Sequence, residues 1–175
     1  MRLLFKLDKG DYECGWKIYG KSSVRGLIIK KNKIAMIYSG KYNYYKFPGG
    51  GIEFGENYLQ TLKREVREES GLIVIEKSVK EFGWVYRIEK GHGRNIWEQK
   101  NYYYICDVEN KILEQHLDMY EKEERFRLEF VQPDYALKVN RNKKHKASKF
   151  IMLERESKIL EILISEGYFN SEEKL

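Results

Sequence analysis

One helix constrains this sequence more than any other segment, because both of its ends can be read directly. Asn57 is a favourable N-cap, and Gln60, three residues later, completes a capping-box pattern. Gly71 is the kind of residue that ends a helix in the left-handed conformation. Apolar side chains recur between these ends at helical spacing, namely Leu59, Leu62 and Val66. The sequence therefore predicts an amphipathic helix that begins after residue 57 and ends before residue 71.

The same helix carries acids where a helix built only for stability would avoid them. Glu65, Glu68 and Glu69 fall within an arc of roughly 100° that flanks the apolar stripe. Like charges three or four residues apart are unfavourable, and acids in the last turn oppose the helix dipole. One interpretation is a solvated charged face with Arg64 and Arg67 as internal partners. We favour the other, a hard-oxygen site for Mg²⁺ or Mn²⁺.

A glycine-rich loop precedes the helix. Residues 48–51 read "PGGG", a run that lets the backbone approach a ligand closely and turn its amides or carbonyls towards a metal or phosphate. Such a loop is a weak signal alone, and its fixed distance from the acidic helix makes it informative.

The remaining pattern predicts a layered α/β or α+β structure in a single domain over residues 1–175. Apolar runs at 24–29 and 34–38 predict a hairpin with a turn at 30–33. Further strands are expected at 72–75, 79–88, 96–108 and 126–131, with a loop or short helix over the charged residues 114–127. An amphipathic helix is predicted at about 148–166.

Composition limits the location and the partners. The net charge of +6 suits an anionic partner, although a basic surface without a function explains it equally well. The basic run at 140–146 could attract a polyphosphate or an RNA 5′ end, but a solvated loop is the favoured interpretation. Two cysteines without metal spacing and no apolar stretch of membrane-spanning length lead us to expect a cytoplasmic protein with no membrane contact.

Taken together, the loop and the helix match a known pattern. Gly50, Glu56 and the run from Arg64 to Leu72 agree with the Nudix box at every defined position. The chain thus resembles the Nudix hydrolase (MutT-like) family. The resemblance implies an α/β/α sandwich around a mixed β-sheet. It also implies a Mg²⁺- or Mn²⁺-dependent hydrolase of a nucleoside diphosphate linked to another group, such as a nucleoside triphosphate or a nucleotide-sugar-like compound.

The resemblance also implies roles for the box residues. Glu65, Glu68 and Glu69 would ligate the metal, with the carbonyl of Gly49 or Gly50 as a further ligand. Four residues would form the catalytic set, namely Arg64, Glu65, Glu68 and Glu69. Arg64 would pair with Glu56 or with a ligand glutamate and orient it.

Several residues outside the helix are open to two interpretations. The general base would be Glu68 or Glu69 in the box, or Glu98 or Glu129 outside it, although both outside residues suit ordinary surface or strand positions better. Tyr45 and Phe47 precede the box and could stack on a base, as Glu98 could contact the substrate. Core packing is the favoured interpretation of these aromatic side chains.

Three functions compete. The first is an active pyrophosphohydrolase acting on a small nucleotide. The second is removal of pyrophosphate from RNA 5′ ends, motivated by the positive charge. The third is a nucleotide-sensing module that keeps the fold without the catalysis, which the intact box disfavours. A homodimer is the commonest oligomeric state to expect.

Overall fold

The computed structural model describes residues 1–142, 145 and 149–169. Its strands are β1 (Leu3–Asp8), β2 (Lys17–Gly20), β3 (Ser23–Leu27), β4 (Ile29–Lys30), β5 (Lys33–Ser39), β6 (Tyr44–Lys46), β7 (Gly49–Gly51), β8 (Leu72–Val74), β9 (Lys80–Lys90), β10 (Asn95–Ile105), β11 (Val108–Ile112) and β12 (Phe126–Val131). Its α-helices are α1 (Tyr58–Ser70), α2 (Met119–Glu123), α3 (Pro133–Asn140) and α4 (Phe150–Ser165). A 3₁₀ turn spans Glu76–Ser78.

The largest sheet is mixed and has six strands. Its order is β1-β9-β10-β3-β7, and β2 also pairs with β10. β1 runs parallel to β9 and β3 runs parallel to β10, whereas β9 and β10 form a long antiparallel hairpin. A four-stranded sheet has the order β12-β5-β4, with β6 on the same central strand, and β8 pairs with β11. The strands predicted at 72–75, 79–88, 96–108 and 126–131 correspond to β8, β9, β10 and β12.

The helices cover both sides of the sheets, which confirms the predicted α/β/α sandwich. On one side Leu62 and Val66 of α1 pack against Val24 and Ala35 in one apolar cluster. On the other side α4 contributes to a second cluster with three fully buried side chains, Ile159, Leu160 and Leu163. The predicted boundaries of about 148–166 for α4 agree with the structure to within about two residues. The sheets therefore hold α1 and α4 on opposite faces.

The predicted hairpin is correct at its turn and wrong in its extent. β4 and β5 pair around Lys31 and Asn32, whose φ angles of 50° and 57° are left-handed. β3 does not continue this pairing, because it belongs to the six-stranded sheet, where it pairs with β10 and β7. The two apolar runs thus belong mainly to different sheets. Their nearly continuous burial hides this in the sequence, since each reads as a fully buried strand.

Five strands and one α-helix were not predicted, namely β1, β2, β6, β7, β11 and α3, and the loop expected at 48–51 contains β7. Helix α3 begins at Pro133, a residue suited to the first turn of a helix. It ends at Asn140, whose side chain pairs with the backbone of Tyr45 in β6. The Asn140 oxygen accepts from the Tyr45 amide at 2.8 Å, and the Asn140 amide donates to the Tyr45 carbonyl at 2.8 Å. Helix α3 is thereby fixed against the four-stranded sheet.

Within the described part of the chain, no helix is both long and apolar enough to cross a lipid bilayer.

Candidate functional site

The acidic face of α1 lines a cleft of about 380 Å³. β7 forms one wall of this cleft, and the segment around α2 forms another. Its lining includes Gly50, Glu65, Glu68, Glu69, Asp118 and Glu121. The capping box of α1 forms as predicted, with Asn57 accepting from the Gln60 amide at 2.9 Å and Gly71 in the left-handed conformation. These caps set the helix, and with it the three box glutamates, in register with the glycine loop.

Arg64 contacts three glutamates, two of which line the cleft. Its Nε and Nη2 donate to the two oxygens of Glu56 at 2.6 and 2.8 Å, a bidentate ion pair. Its Nη1 donates to Glu65 at 2.8 Å and to Glu68 at 3.2 Å. The hydrogen bond to Arg64 lowers the pKa of Glu56 to about 2. One guanidinium thus orients two of the cleft carboxylates while a third carboxylate anchors it.

Glu69 is the most enclosed of the box carboxylates, with 2% of its surface exposed. One oxygen forms an ion pair with the Lys46 ammonium, which is also buried. The other accepts from the Gly49 amide at 2.8 Å. Both oxygens are therefore committed to the protein, and Glu69 joins α1 to the strand end that carries the glycine loop.

Glu65 lies directly against Gly50. A Cβ atom at Gly50 would sit 2.3 Å from a carboxylate oxygen of Glu65, so only glycine leaves room for this side chain. Burial raises the pKa of Glu65, while the nearby Arg64 opposes that shift. Of the two carbonyls predicted as a further ligand, that of Gly49 accepts a hydrogen bond from Arg25, and that of Gly50 stays a prediction.

Glu68 is the most accessible box carboxylate. Its side chain is 41% exposed. Its contact with Arg64 is 3.2 Å long, which is longer than the contacts that Arg64 makes with Glu56 and Glu65. A carboxylate that faces the cleft and accepts only a long hydrogen bond can bind a ligand or accept a proton.

Residues 116–121 also line the cleft, and the sequence reasoning missed them. Asp118 and Glu121 form the capping box of α2, and Tyr120 donates to Glu121 at 2.9 Å. Burial and the charge of Glu69 raise the pKa of Glu121. His116, for which no role was predicted, donates its backbone amide to the Glu68 carbonyl at 2.8 Å. The Asp118-x-x-Glu121 spacing was a readable helix-start signal, but it does not indicate where the helix lies.

The aromatic candidates lie in the core. Phe47 is fully buried and packs edge-on against Tyr103, with ring centroids 6.0 Å apart. Tyr45 is 3% exposed, and its hydroxyl donates to Glu129 at 2.6 Å. These surroundings match the packing interpretation of both aromatic rings.

Neither outside candidate for the general base reaches the cleft. Glu129 is held by Tyr45 and by Arg127. Glu98 lines a separate cavity beside the cleft. The basic run at 140–146 lies in part outside the described residues, since positions 143, 144 and 146 are among those not described.

The donors of the cleft fit a hard divalent cation in their chemistry. Glu65, Glu68 and Glu69 all line one space, and the missing side chain at Gly50 leaves room there for the Glu65 carboxylate. In residues 1–142, 145 and 149–169, no three acidic, histidine or cysteine side chains converge closely enough to hold an ion. Instead, Arg64 and Lys46 neutralise the box carboxylates.

Comparison with known families places this site in context. The family model described as "NUDIX domain" matches residues 22–153, more than half of the chain. A solved structure of a mutator MutT protein from Bacillus halodurans superposes with a TM-score of 0.56 at 20% identity, covering 77% of this chain and 80% of the other. A NUDIX hydrolase from Nitrosomonas europaea gives 0.55 at 16% identity, covering 79% and 88%. At these identities the two structures support the fold.

Two curated relatives match over shorter segments. An 8-oxo-dGTP diphosphatase of Buchnera aphidicola subsp. Schizaphis graminum is 45% identical over 56 residues, which cover 30% of this chain and 43% of the relative. An ADP-ribose pyrophosphatase of Methanocaldococcus jannaschii is 43% identical over 61 residues, covering 33% and 36%. The chain thus spans less than half the length of the curated relatives it matches.

Proposed function

This chain belongs to the Nudix family, and we propose that it is a Mg²⁺-dependent hydrolase that cleaves a phosphoanhydride bond in a nucleoside diphosphate linked to another group. One observation carries the proposal: the box glutamates face a single cleft in which Arg64 orients Glu65 and Glu68. Nudix hydrolases generally use divalent metals, and the carboxylate donors of this cleft suit such an ion.

The box glutamates have distinct roles in this reaction. Glu65 and Glu68, with Glu69 behind them, would hold the cation. When bound, the cation supplies positive charge for the phosphate oxygens and acidifies a water molecule. Glu68 is the best-placed proton acceptor of the box, because it is the most exposed of these side chains. The attacking water gives its proton to a carboxylate as its oxygen bonds to phosphorus. The bond from phosphorus to the bridging oxygen breaks, and the leaving phosphate takes that oxygen.

Positioning residues support this chemistry. Glu56 anchors Arg64, and Arg64 fixes the carboxylate orientations in turn. Glu121 also lines the cleft and interacts with the charge of Glu69. It is therefore a candidate for positioning the Glu69 side chain.

The relatives suggest two kinds of substrate. One is named for 8-oxo-dGTP and the other for ADP-ribose, and both compounds contain a diphosphate linked to a further group. We propose a substrate of this general class for the present chain.

The test is release of cleavage products with Mg²⁺, separated by chromatography, from a panel of nucleoside triphosphates, ADP-ribose, nucleotide sugars, dinucleotides and 5′-triphosphorylated RNA. Triphosphates and the RNA should give phosphate or pyrophosphate, whereas ADP-ribose, nucleotide sugars and dinucleotides should give two phosphomonoesters. The variant Glu68→Gln should abolish release. The matched control is Glu109→Gln, which changes an exposed glutamate of β11 that does not line the cleft. Equal activity of the wild type and Glu68→Gln would refute the assignment of Glu68.

The panel also separates the alternatives. Cleavage of triphosphorylated RNA in preference to mononucleotides would favour the RNA 5′-end function. Nucleotide binding without any cleavage, with every box residue intact, would favour the sensing module. The cytoplasmic location, the homodimer and the single domain over residues 1–175 stay predictions.

A further inference from the structure

A second, smaller cavity adjoins the cleft. It has a volume of about 280 Å³, and its lining includes Tyr19, Lys21, Ser22, Glu98 and Lys100. We call it the lysine cavity. Lys21 lines both spaces, and the Ser22 carbonyl accepts a hydrogen bond at 3.1 Å from the residue that follows β7. The two spaces therefore meet at Lys21.

Lys21 crosses the backbone of the glycine loop to reach this position. A Cβ atom at Gly51 would lie 2.5 Å from Cε of Lys21 and 2.8 Å from its Nζ. The bare backbone of Gly51 thus provides the surface along which the lysine side chain lies. Lys21 is exposed, its side chain lines both spaces, and it forms no ion pair with a carboxylate of the described residues.

The charges of this cavity differ from those of the cleft. In the cleft, Arg64 and Lys46 are already paired with glutamates. The ammonium groups of Lys21 and Lys100 form neither an ion pair nor a hydrogen bond with any described residue. The one carboxylate of the cavity, Glu98, interacts with the hydroxyl of Tyr86. Two uncommitted ammonium groups therefore stand beside a carboxylate-rich cleft.

An anionic group of the substrate is the ligand that this arrangement fits. An ammonium binds phosphate oxygens as a point charge and needs no fixed geometry. A triphosphate has one more phosphate than the diphosphate that is cleaved. When the scissile bond lies beside the box glutamates, the lysine cavity is a neighbouring space that can hold this further phosphate. We propose that the lysine cavity binds a phosphate group beyond the scissile diphosphate, so that the protein prefers triphosphate substrates to a diphosphate-linked sugar such as ADP-ribose. This inference rests on the proposed hydrolase function.

Charge-removing variants test the proposal. Lys21→Met, Lys100→Met and the double variant keep the length of the side chains and remove the ammonium groups. Lys111→Met is the matched control, because Lys111 is exposed on β11 and lines neither space. The steady-state rates are compared for dGTP, a 5′-triphosphorylated oligoribonucleotide and ADP-ribose, each with Mg²⁺ at two salt concentrations.

The double variant should lower kcat/KM for dGTP about tenfold, mainly through KM and more strongly at low salt, as loss of charge-assisted hydrogen bonds predicts. The kcat/KM for ADP-ribose should change less than about twofold, because ADP-ribose has no third phosphate for the lysines to bind and an exposed unpaired charge contributes little. An equal loss for dGTP and ADP-ribose, or no loss for either, would overturn the proposal. A loss confined to the oligoribonucleotide would also overturn it for free nucleotides and assign the lysines to RNA.

Binding separates this inference from the hydrolase proposal. Titration calorimetry with α,β-methylene-dGTP and Mg²⁺ measures affinity without turnover. If the wild type hydrolyses nothing but binds this analogue, and the double variant binds it about tenfold more weakly, the lysine cavity stands while the hydrolase proposal fails. If the double variant binds as the wild type does, or if the wild type does not bind the analogue, the lysine cavity is refuted.

Discussion

Glu69→Gln should destabilise the protein strongly, whereas the same change at the neighbouring Glu68 should leave its stability almost unaltered. Glu69 is 2% exposed and pairs with Lys46, whose side chain is 8% exposed. Glu68 is 41% exposed and has a single long contact with Arg64. Two adjacent glutamates of one motif therefore differ in what their charge does for the fold.

The magnitude follows from the burial of the pair. Removing one partner of a buried ion pair costs about 3–5 kcal/mol, because the other charge stays buried and unpaired. Two features place the cost of Glu69→Gln near the lower end of this range. The glutamine oxygen still accepts from the Gly49 amide, and loss of the charge relieves repulsion on Glu121. A loss of about 3 kcal/mol lowers the melting temperature of a domain of this size by about 6–12 °C. Glu68→Gln should change the free energy of unfolding by less than about 0.5 kcal/mol.

Urea unfolding followed by circular dichroism measures both variants, and Lys46→Met with the double variant completes a cycle. The double variant should lose less than the sum of the single losses, since no charge is left unpaired. A cost below about 1 kcal/mol for Glu69→Gln, or additive losses in the cycle, would refute the buried pair as described.

Three further predictions concern the box and its helix. Gly50→Ala should lower kcat at least about tenfold, because its Cβ would displace the Glu65 carboxylate; steady-state assays measure this. Glu56 has its pKa lowered from 4.5 to about 2 by Arg64, so its contribution to stability is complete above pH 4.5 and is lost as the pH falls towards 2. Urea midpoints across this range should show a weaker pH dependence in Glu56→Gln. Asn57→Ala removes the cap on the Gln60 amide and should cost about 1 kcal/mol in the same assay.

The parts of the fold that could be predicted are those specified by neighbouring residues. The helix α1 follows from its caps and its apolar spacing, and the turn at Lys31 and Asn32 follows from local chemistry. β1 and β2 depend on partners far along the chain, since they pair with β9 and β10. β2 is also exposed throughout, so it lacks the apolar alternation that reveals a strand.

The candidate site divides in the same way. Glu65, Glu68 and Glu69 share one face because helical spacing alone places them there. Their different surroundings come from elsewhere, as Lys46 reaches Glu69 from β6 and Glu121 approaches from α2. The density of charge over residues 114–127 conceals Glu121, because many acids there look equally solvated. Lys21 is separated from the box in sequence and lies between β2, which pairs with β10, and β3, which pairs with β7.

The pairing of Asn140 with Tyr45 has a consequence for self-association. An exposed strand edge offers unpaired amides and carbonyls on which another polypeptide can add as a further strand, and this is a common route to aggregation. β6 is a short strand, and the amide side chain of Asn140 occupies both backbone groups of its central residue. Glu156 of α4 accepts at 2.8 Å from the amide of Phe47, the residue that follows β6. This edge is thus closed by side chains of the same molecule, and a second copy of the chain would have to associate through another surface.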